Sequence, residues 1–282
     1  MAKTHNNLKY FICHHFADQA WNDPDLASSV YVHVDLSKEA YNDKLNESSI
    51  VTWLEDRSWK DPMKTFVGLG HYRRRLDVSK IDVLDSKKAY VHNEPQPAVP
   101  RQIWHAYHSK EYLDEFLEQL KLADLKTYEA FNRWLDDPKT TRFCPTRSLM
   151  VLPKKSFCDW MTFAKRMMTV AILTAEKTKH LDIWQDRYQK RQPGFMMERL
   201  TSFWLSECSG LQLEDTPMIE KHIFSPVQRM FRSCVVAIQK DETNLDEWAK
   251  WHLDVCGFWK IVLFNDGCSE HVFPPGIHER VV

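Results

Sequence analysis

The chain has 282 residues, of which 43% are apolar and 12% aromatic, so it can form a large buried core. Its 38 basic and 39 acidic residues nearly cancel, which excludes a chain-wide attraction to nucleic acid or to an anionic membrane surface. With 7 glycines and 13 prolines, the composition is not that of a disordered or linker-rich protein.

The N-terminal residues and the cysteines indicate the cellular compartment of the protein. Residues 1–7 are polar and lack an apolar segment, so we expect no signal peptide. No stretch approaches the roughly 20 apolar residues that a membrane span requires. The seven cysteines are scattered without a C-x-x-C pair, which indicates reduced thiols rather than disulfides or a zinc site. We therefore expect a cytoplasmic protein.

Short apolar runs alternate with helical patterns over most of the chain. The runs predict strands at residues 8–13, 30–34, 65–70, 89–92 and 148–152. Helical spacing of apolar residues predicts helices near residues 46–56, 113–120, 128–135, 156–171 and 196–204, and Ser156 with Asp159 resembles a capping box for the fourth of these. The alternation predicts an α/β, Rossmann-like fold with a mostly parallel central sheet flanked by helices.

The C-terminal residues repeat this pattern on a small scale. Strands are predicted at 233–238 and 259–264, with a helix between them that Asn244 and Glu247 would cap. We expect one domain at 1–225 and a partial β-α-β segment at 226–282. Because so short a unit cannot bury both faces of its sheet, it either packs against the first domain or belongs to a shortened second one.

The densest polar cluster follows the strand at 65–70 and reads HYRRR at residues 71–75. Ligands of open α/β sheets bind beyond the carboxyl ends of the strands. Guanidinium groups match phosphate oxygens and stay charged at any working pH, so three consecutive arginines there fit a diphosphate. In an extended segment Arg73 and Arg75 would share one side. The alternative is a solvated basic turn with ion pairs to Asp77 or Asp82.

Two further sets of residues are candidates for a site. In the segment at 191–200 (RQPGFMMERL), Glu198 lies opposite the apolar stripe of the predicted helix and can project into a cleft as a general base. It can equally be an ordinary exposed glutamate. His14 and Asp35 lie at the ends of the first two predicted strands. Each can contact a ligand there, or can be an ordinary loop residue.

Motifs of other enzyme classes are absent or misplaced. The sequence has no Gly-x-Gly-x-x-Gly, no P-loop and no Gly-x-Ser-x-Gly elbow, which removes the main support for a dehydrogenase, a P-loop kinase or a serine hydrolase. A literal Asp-x-Asp occurs at residues 23–25, but it follows the first strand rather than a central one. We expect no metal there.

These blocks, in this order, resemble a family of capsular-polysaccharide-associated proteins, the domain of unknown function 4422 family. The family's hallmark, a strand followed by Gly-Leu-Cys-His-Tyr-Arg-Arg, is close to residues 66–74 (FVGLGHYRR). The other matching segments are KYFICH at 9–14, the Asn46–Glu47 pair before Trp53, His108, and RQPGFMMERL at 191–200. The resemblance extends from about Leu8 to Glu207.

The resemblance implies a nucleotide-sugar-dependent glycosyltransferase of the GT-A type in polysaccharide biosynthesis. In GT-A enzymes an Asp-x-Asp after a central strand holds a metal on the donor diphosphate, and here that location carries HYRR at residues 71–74. Arginine charge would then replace the metal, so the resemblance predicts a metal-independent reaction without a cofactor. The implied partners are a nucleotide sugar and a glycan or other hydroxyl acceptor.

The resemblance also assigns roles to residues. Glu198 would be the catalytic base that deprotonates the acceptor hydroxyl. Arg73, Arg74 and Arg191 would hold the diphosphate. His14 and Glu47 would line the donor side. The full set of predicted substrate-binding residues is His14, Glu47, His71, Tyr72, Arg73, Arg74, Arg191 and Arg199.

Some segments depart from the family's pattern or resemble another one. The Asp-Asn-Ile-Ser-like stretch expected before Asn46 is missing or shortened, and TRSL at 146–149 replaces an Asn-Met-Phe-like strand. The C-terminal segments VVAIQKDE at 235–242 and FND at 264–266 resemble the start of a family-92 or family-2 glycosyltransferase domain. These features leave open a non-catalytic nucleotide- or sugar-binding remnant of a two-domain enzyme.

A phosphoryl-transfer or nuclease activity would need a carboxylate metal cluster, and the sequence offers none.

Overall fold

The structure is a computed structural model. It describes residues 5–14, 31–36, 42–45, 49–55, 64–71, 74–142, 144–186, 188–220, 234–239 and 260–265. The chain divides into two compact units, Met1–Lys221 and His222–Val282.

An eight-stranded sheet forms the centre of the first unit. Its strands are β1 (Leu8–His14), β2 (Tyr31–Asp35), β3 (Phe66–His71), β4 (Arg74–Leu76), β5 (Lys88–Asn93), β6 (Pro145–Pro153), β7 (Gln212–Asp215) and β8 (Met218–Glu220). The strand order is β2-β1-β3-β6-β5-β7, and β4 pairs with both β3 and β8. All five strands that the sequence predicts before residue 222 are present.

The α/β class is confirmed, but the sheet is mixed rather than of the expected parallel, Rossmann-like kind. Strands β1, β2 and β3 are parallel to one another, as are β5 and β7. However, β6 runs antiparallel to both of its neighbours, β3 and β5, and β4 runs antiparallel to β3 and β8. A strand that is buried on both faces shows the same apolar run in either direction, so the sequence pattern did not reveal this.

Seven α-helices are described in this unit. They are α1 (Asn42–Leu45), α2 (Ile50–Glu55), α3 (Pro100–Tyr107), α4 (Lys110–Ala123), α5 (Leu125–Trp134), α6 (Lys154–Lys177) and α7 (Gln192–Phe203), and α7 continues into a π-helical segment at Trp204–Cys208. The predicted capping box is wrong, because α6 begins at Lys154 directly after β6 and Ser156 lies inside its first turn. Within the described residues, no helix is both long and apolar enough to cross a membrane.

Aromatic side chains fill the core between the sheet and helices α4 to α7. The ring of Phe131 contacts those of Phe116, Trp134 and Phe203 at centroid distances of 6.3, 5.8 and 5.3 Å. The predicted stripe of α7, including Met196, Leu200 and Phe203, is buried in this core. Each large apolar side chain buried in this way contributes about 1.5–3 kcal/mol to stability. Since its apolar stripe is fixed inward, the opposite side of α7 is left to form a cleft.

The two glycines of β3 make room for an aromatic ring from β1. The ring of Tyr10 lies over both positions, so that a methyl group on Gly68 would lie 2.2 Å from Cδ2 of Tyr10, and one on Gly70 would lie 2.7 Å from Cε1. The hydroxyl of Tyr10 accepts a hydrogen bond from the backbone N–H of Leu76 at 3.0 Å. This contact ties β1 and β3 to β4, which carries Arg74 and Arg75.

In the second unit the structure describes a pair of parallel strands, β9 (Cys234–Gln239) and β10 (Lys260–Asn265). Both agree with the predicted strands to within one residue. The helix predicted between them, with its capping residues Asn244 and Glu247, lies outside the described residues.

Candidate functional site

The carboxyl ends of the parallel strands bring several of the predicted residues to one edge of the sheet. His14 at the end of β1 is the register partner of Asp35 at the end of β2, and Cys13 is the partner of His71 at the end of β3. Adjacent strands lie about 4.8 Å apart, so the backbone positions of His14 and His71 are close neighbours. The backbone positions of these three residues therefore share one edge of the sheet, and their role in ligand binding stays a prediction.

The basic cluster contains a reversal of the chain. His71 in β3 pairs with Arg74 in the antiparallel strand β4, so the chain does not continue as a single extended segment. Nε of Arg74 donates a hydrogen bond to Oε1 of Glu220 on β8 at 2.7 Å, and both side chains are about one-third exposed. Arg75 is only 3% exposed. The predicted residues Tyr72 and Arg73 lie outside the described residues.

A cleft opens at the same edge, where β5 ends. Because β5 is antiparallel to β6, which is antiparallel to β3, its carboxyl end points the same way as that of β3. The cleft has a volume of about 200 Å³ and is bordered by the segment after β5, the start of β6, and helices α3, α5 and α7. Its lining includes Glu94, Ile103, Trp134, Cys144, Glu198 and Arg199.

The strand register gives the separation between the basic cluster and this cleft. Leu69 in β3 and Val91 in β5 both pair with Met150 in β6. His71 and Asn93 each lie two residues further along their strands. At Leu69 and Val91 the two strands are two strand spacings apart, roughly 10 Å, whereas beyond Val91 the register of β5 against β6 shifts and Asn93 pairs with Pro145. The cationic cluster and the cleft are thus neighbours along one sheet edge.

Glu198 lines this cleft, as its place opposite the apolar stripe of α7 predicts. Its Oε2 lies 3.5 Å from Nη1 of Arg199, and its side chain is 31% exposed. Arg199 also donates a hydrogen bond to the carbonyl oxygen of Phe195 at 3.3 Å, and its guanidinium lies 5.7 Å from the ring centroid of Trp104. A carboxylate and a guanidinium are therefore held side by side at the cleft.

Arg191 and helix α1 lie near the N-terminal end of α7. The guanidinium of Arg191 lies over the ring of Phe195, 5.2 Å from its centroid. Glu47 lies outside the described residues. Helix α1, which precedes it in the chain, packs against α7 and against the 3-10 turn at Gln189–Arg191.

His108 stands between the aromatic rings beside Arg199. Its ring lies 4.6 Å from the centroids of both Trp104 and Phe195. Burial, together with the nearby charge of Arg199, lowers the pKa of His108 to about 4. Its Nδ1 is buried and has no hydrogen-bond partner among the residues that the structure describes. His108 is therefore neutral at physiological pH and acts here as part of the aromatic packing.

Glu94 and Cys144 are among the residues of the cleft that sequence reasoning missed. Burial raises the pKa of the Cys144 thiol, which also experiences the charges of Arg199, Glu94 and Glu198. Cys144 gives no sequence signal, since a lone cysteine predicts at most burial. Glu94 follows the predicted strand at 89–92, and its place beyond a strand end was the one signal that pointed to it.

The described side chains include no group of three or more His, Cys, Asp or Glu residues arranged to hold a metal ion. The Asp-x-Asp at residues 23–25 lies outside the described residues. The expectation of a metal-independent site is therefore a prediction for experiment.

Comparison with known proteins gives a structural similarity at low sequence identity. The chain is similar to the apo structure of the WbbM bifunctional glycosyltransferase, with a TM-score of 0.49 and 11% identity. The similarity covers 98% of this chain and 59% of that one, so the chain spans less than two thirds of that protein's length. No family model and no curated protein matches the sequence. At these values the function of the chain is left open, and the family resemblance stays a prediction.

Proposed function

We propose that this chain is a glycosyltransferase that moves a sugar from a nucleotide-sugar donor to a hydroxyl group of a glycan or another acceptor. The observation that carries the proposal is the shared sheet edge, where the basic cluster at the end of β3 and a cleft lined by Glu198 beyond the end of β5 both lie. In a nucleotide sugar the anomeric carbon is bonded to a diphosphate oxygen, so a base for the attacking hydroxyl has to lie on the far side of that carbon, in the same site as the groups that bind the diphosphate.

The basic cluster supplies the charge that the donor requires. Arg73 and Arg74 are assigned to the diphosphate, with His71 and Tyr72 beside them, and forked guanidinium donors suit its oxygens. The ion pair between Arg74 and Glu220 is partly exposed, so water and a ligand can compete for it at little cost. On this assignment the leaving diphosphate is neutralised without a divalent metal.

Glu198 is assigned as the base of the transfer step. The oxygen of an acceptor hydroxyl attacks the anomeric carbon of the donor while its proton passes to the Glu198 carboxylate. The new carbon–oxygen bond forms as the bond from the anomeric carbon to the phosphate oxygen breaks. The nucleoside diphosphate leaves with that electron pair, which the arginines stabilise.

The Glu198→Gln variant tests this assignment. It should lose transfer by about 10²-fold or more while its affinity for nucleotide stays within about twofold, because the amide keeps the shape but cannot take the proton. Glu118→Gln on the exposed face of α4 is the matched control. Transfer by Glu198→Gln at the wild-type rate would contradict the role of Glu198.

A thermal-shift panel of nucleoside diphosphates and nucleotide sugars, with and without EDTA, tests the donor site. Stabilisation by a selected nucleotide that survives EDTA and is lost in Arg74→Met supports metal-free diphosphate binding. Stabilisation without any transfer activity would instead favour the binding remnant. Stabilisation or activity that EDTA abolishes would favour metal-dependent phosphoryl-transfer chemistry.

A further inference from the structure

The central strand β6 carries a bulge near its start, at the sheet edge where the candidate site lies. Val91 of β5 pairs with Met150, whereas Asn93, only two residues further along, pairs with Pro145. Four residues of β6, at 146–149, therefore stand where β5 has a single residue. Bulges of this kind are frequent beside active sites, because they end the regular pairing and redirect a side chain.

Ser148 lies within this bulge in a strained backbone conformation. Its φ is 53°, and it is the one residue other than glycine with a positive φ in the part of the chain that the structure describes. Such strain clusters at ligand-binding sites, where the surrounding structure imposes it. Ser148 is 8% exposed, and its hydroxyl makes no hydrogen bond to the described residues. The bulge therefore holds a hydroxyl that is available to a ligand.

His92 is the residue of β5 that stands opposite the bulge. Its Nδ1 is buried and has no hydrogen-bond partner among the described residues. Buried polar atoms are almost always hydrogen-bonded in folded proteins, so this nitrogen points to a polar group that is bound there. Since His92 is itself partly exposed, its ring can turn Nδ1 towards a ligand without unfolding. A hydroxyl and a ring nitrogen thus flank the same bulge, and both can hydrogen-bond a hydroxyl group.

The bulge lies between the two halves of the candidate site. Strand β6 stands between β3 and β5 in the sheet. Its pairing with β3 extends to Leu69 and Met150, and beyond that point His71 pairs with Arg74 of β4. On one side of the bulge is therefore the basic cluster, and on the other is the segment after β5 that borders the cleft of Glu198. In the proposed reaction the transferred sugar ring has to lie between the groups that bind the diphosphate and the base.

We propose that the bulge of β6 at residues 146–149 binds the sugar ring that is transferred, with the Ser148 hydroxyl and Nδ1 of His92 forming hydrogen bonds to hydroxyl groups of that ring. The inference rests on the proposed glycosyl transfer and adds two residues that determine specificity for the donor sugar. Neither residue contacts the nucleoside diphosphate, so their contribution is confined to the sugar part of the donor.

Two substitutions at Ser148 separate its hydroxyl from its backbone strain. Ser148→Ala removes the hydroxyl and keeps the strain, whereas Ser148→Gly removes the hydroxyl and relieves the strain. A sugar contact predicts the same loss of affinity in both variants. His92→Phe removes Nδ1 and keeps a ring. The matched controls are Ser79→Ala and His180→Phe, which change an exposed serine and an exposed histidine.

The experiment measures dissociation constants by isothermal titration calorimetry with the full chain. The probes are uridine diphosphate, its glucose, galactose and N-acetylglucosamine conjugates, guanosine diphosphate and its mannose conjugate. We expect at least one nucleotide sugar to bind. Its affinity should fall by about 3- to 10-fold in Ser148→Ala, Ser148→Gly and His92→Phe, as expected when a neutral hydrogen bond is lost, while the affinity for the matching nucleoside diphosphate stays within about twofold. Both controls should behave as wild type.

Three results would overturn the inference: an unchanged affinity for the nucleotide sugar in the Ser148 or His92 variants, an equal loss for the nucleoside diphosphate, or a loss in Ser148→Ala that Ser148→Gly restores. Binding of a nucleotide sugar that these variants do not alter would reject the sugar contact and leave the proposed function standing. The expected losses in a protein that shows no transfer would sustain the sugar contact and reject the enzyme. No binding of any nucleotide would reject both.

Discussion

The ring of Tyr10 lies against Gly68, so close that a methyl group on Gly68 would come within 2.2 Å of Cδ2 of Tyr10. Across this contact the Tyr10 hydroxyl accepts a hydrogen bond from the N–H of Leu76. The glycines of the segment at 66–74 are thus required by packing rather than by backbone conformation. They allow a tyrosine of β1 to fix β4, the strand that carries Arg74 and Arg75.

Gly68→Ala should destabilise the protein by about 2–3 kcal/mol, because the buried ring and the backbone cannot both keep their positions. Gly210→Ala is the comparison, since that site has open space and a φ of 64° and should cost only about 1 kcal/mol. Urea denaturation measures the free energy of unfolding of both variants. In a Tyr10→Ala background the cost of Gly68→Ala should fall, and a cost that did not change would show that the two residues are not coupled.

Tyr10→Phe should cost about 1–2 kcal/mol, because it removes the acceptor from the buried N–H of Leu76 while keeping the ring. Tyr107→Phe is the control, because Tyr107 is 65% exposed. Hydrogen exchange adds a local measurement, in which the Leu76 amide should lose protection in Tyr10→Phe. Equal stability of the two variants would argue against this hydrogen bond.

Stability should depend on pH through His108. Its folded pKa of about 4 is below the value of roughly 6.5 in the unfolded chain. Above about pH 6.5 both states are neutral and His108 has no effect. As pH falls towards 4 the unfolded chain binds the proton first, so the free energy of unfolding decreases by on the order of 2 kcal/mol after allowance for partial exposure.

His108→Phe keeps an aromatic ring between Trp104 and Phe195 and removes this titration. Its unfolding free energy should therefore change less between pH 7 and pH 4.5 than that of the wild type. His180→Phe, at an exposed histidine, should keep the wild-type pH dependence. If His108→Phe and the wild type lost the same stability on acidification, the low pKa of His108 would be refuted.

Arg74→Met should change the free energy of unfolding by less than about 1 kcal/mol, since its ion pair with Glu220 is partly exposed. This makes Arg74→Met a clean variant for nucleotide-binding assays, because a lost affinity would not reflect unfolding. Glu220→Gln is the matched change on the other side of the pair. It should leave nucleotide binding intact or improve it by freeing Arg74. Denaturation gives the free energy of unfolding of each variant, and thermal-shift titration gives its affinity for nucleotide.

Several elements followed from local pattern alone. The apolar runs predicted β1, β3, β5 and β6, because a buried strand must be apolar wherever it lies. The stripe at Met196, Leu200 and Phe203 placed Glu198 on the opposite side of α7, since helical periodicity fixes relative direction. The start of α6 was predicted two residues too late. The helix begins at Lys154, directly after β6, and not at the capping signal of Ser156.

By itself, then, the sequence determined the longer strands and most of the helices, but not β4, β7, β8 or α3, and it determined that polar residues follow the ends of β1, β2 and β3. Only the tertiary structure decided that β6 runs antiparallel to β3 and β5, that Arg74 pairs with Glu220, and that Glu94 joins Glu198 at one cleft. Periodicity records which face of an element is buried, whereas strand direction and partnership arise from contacts between residues far apart in the chain.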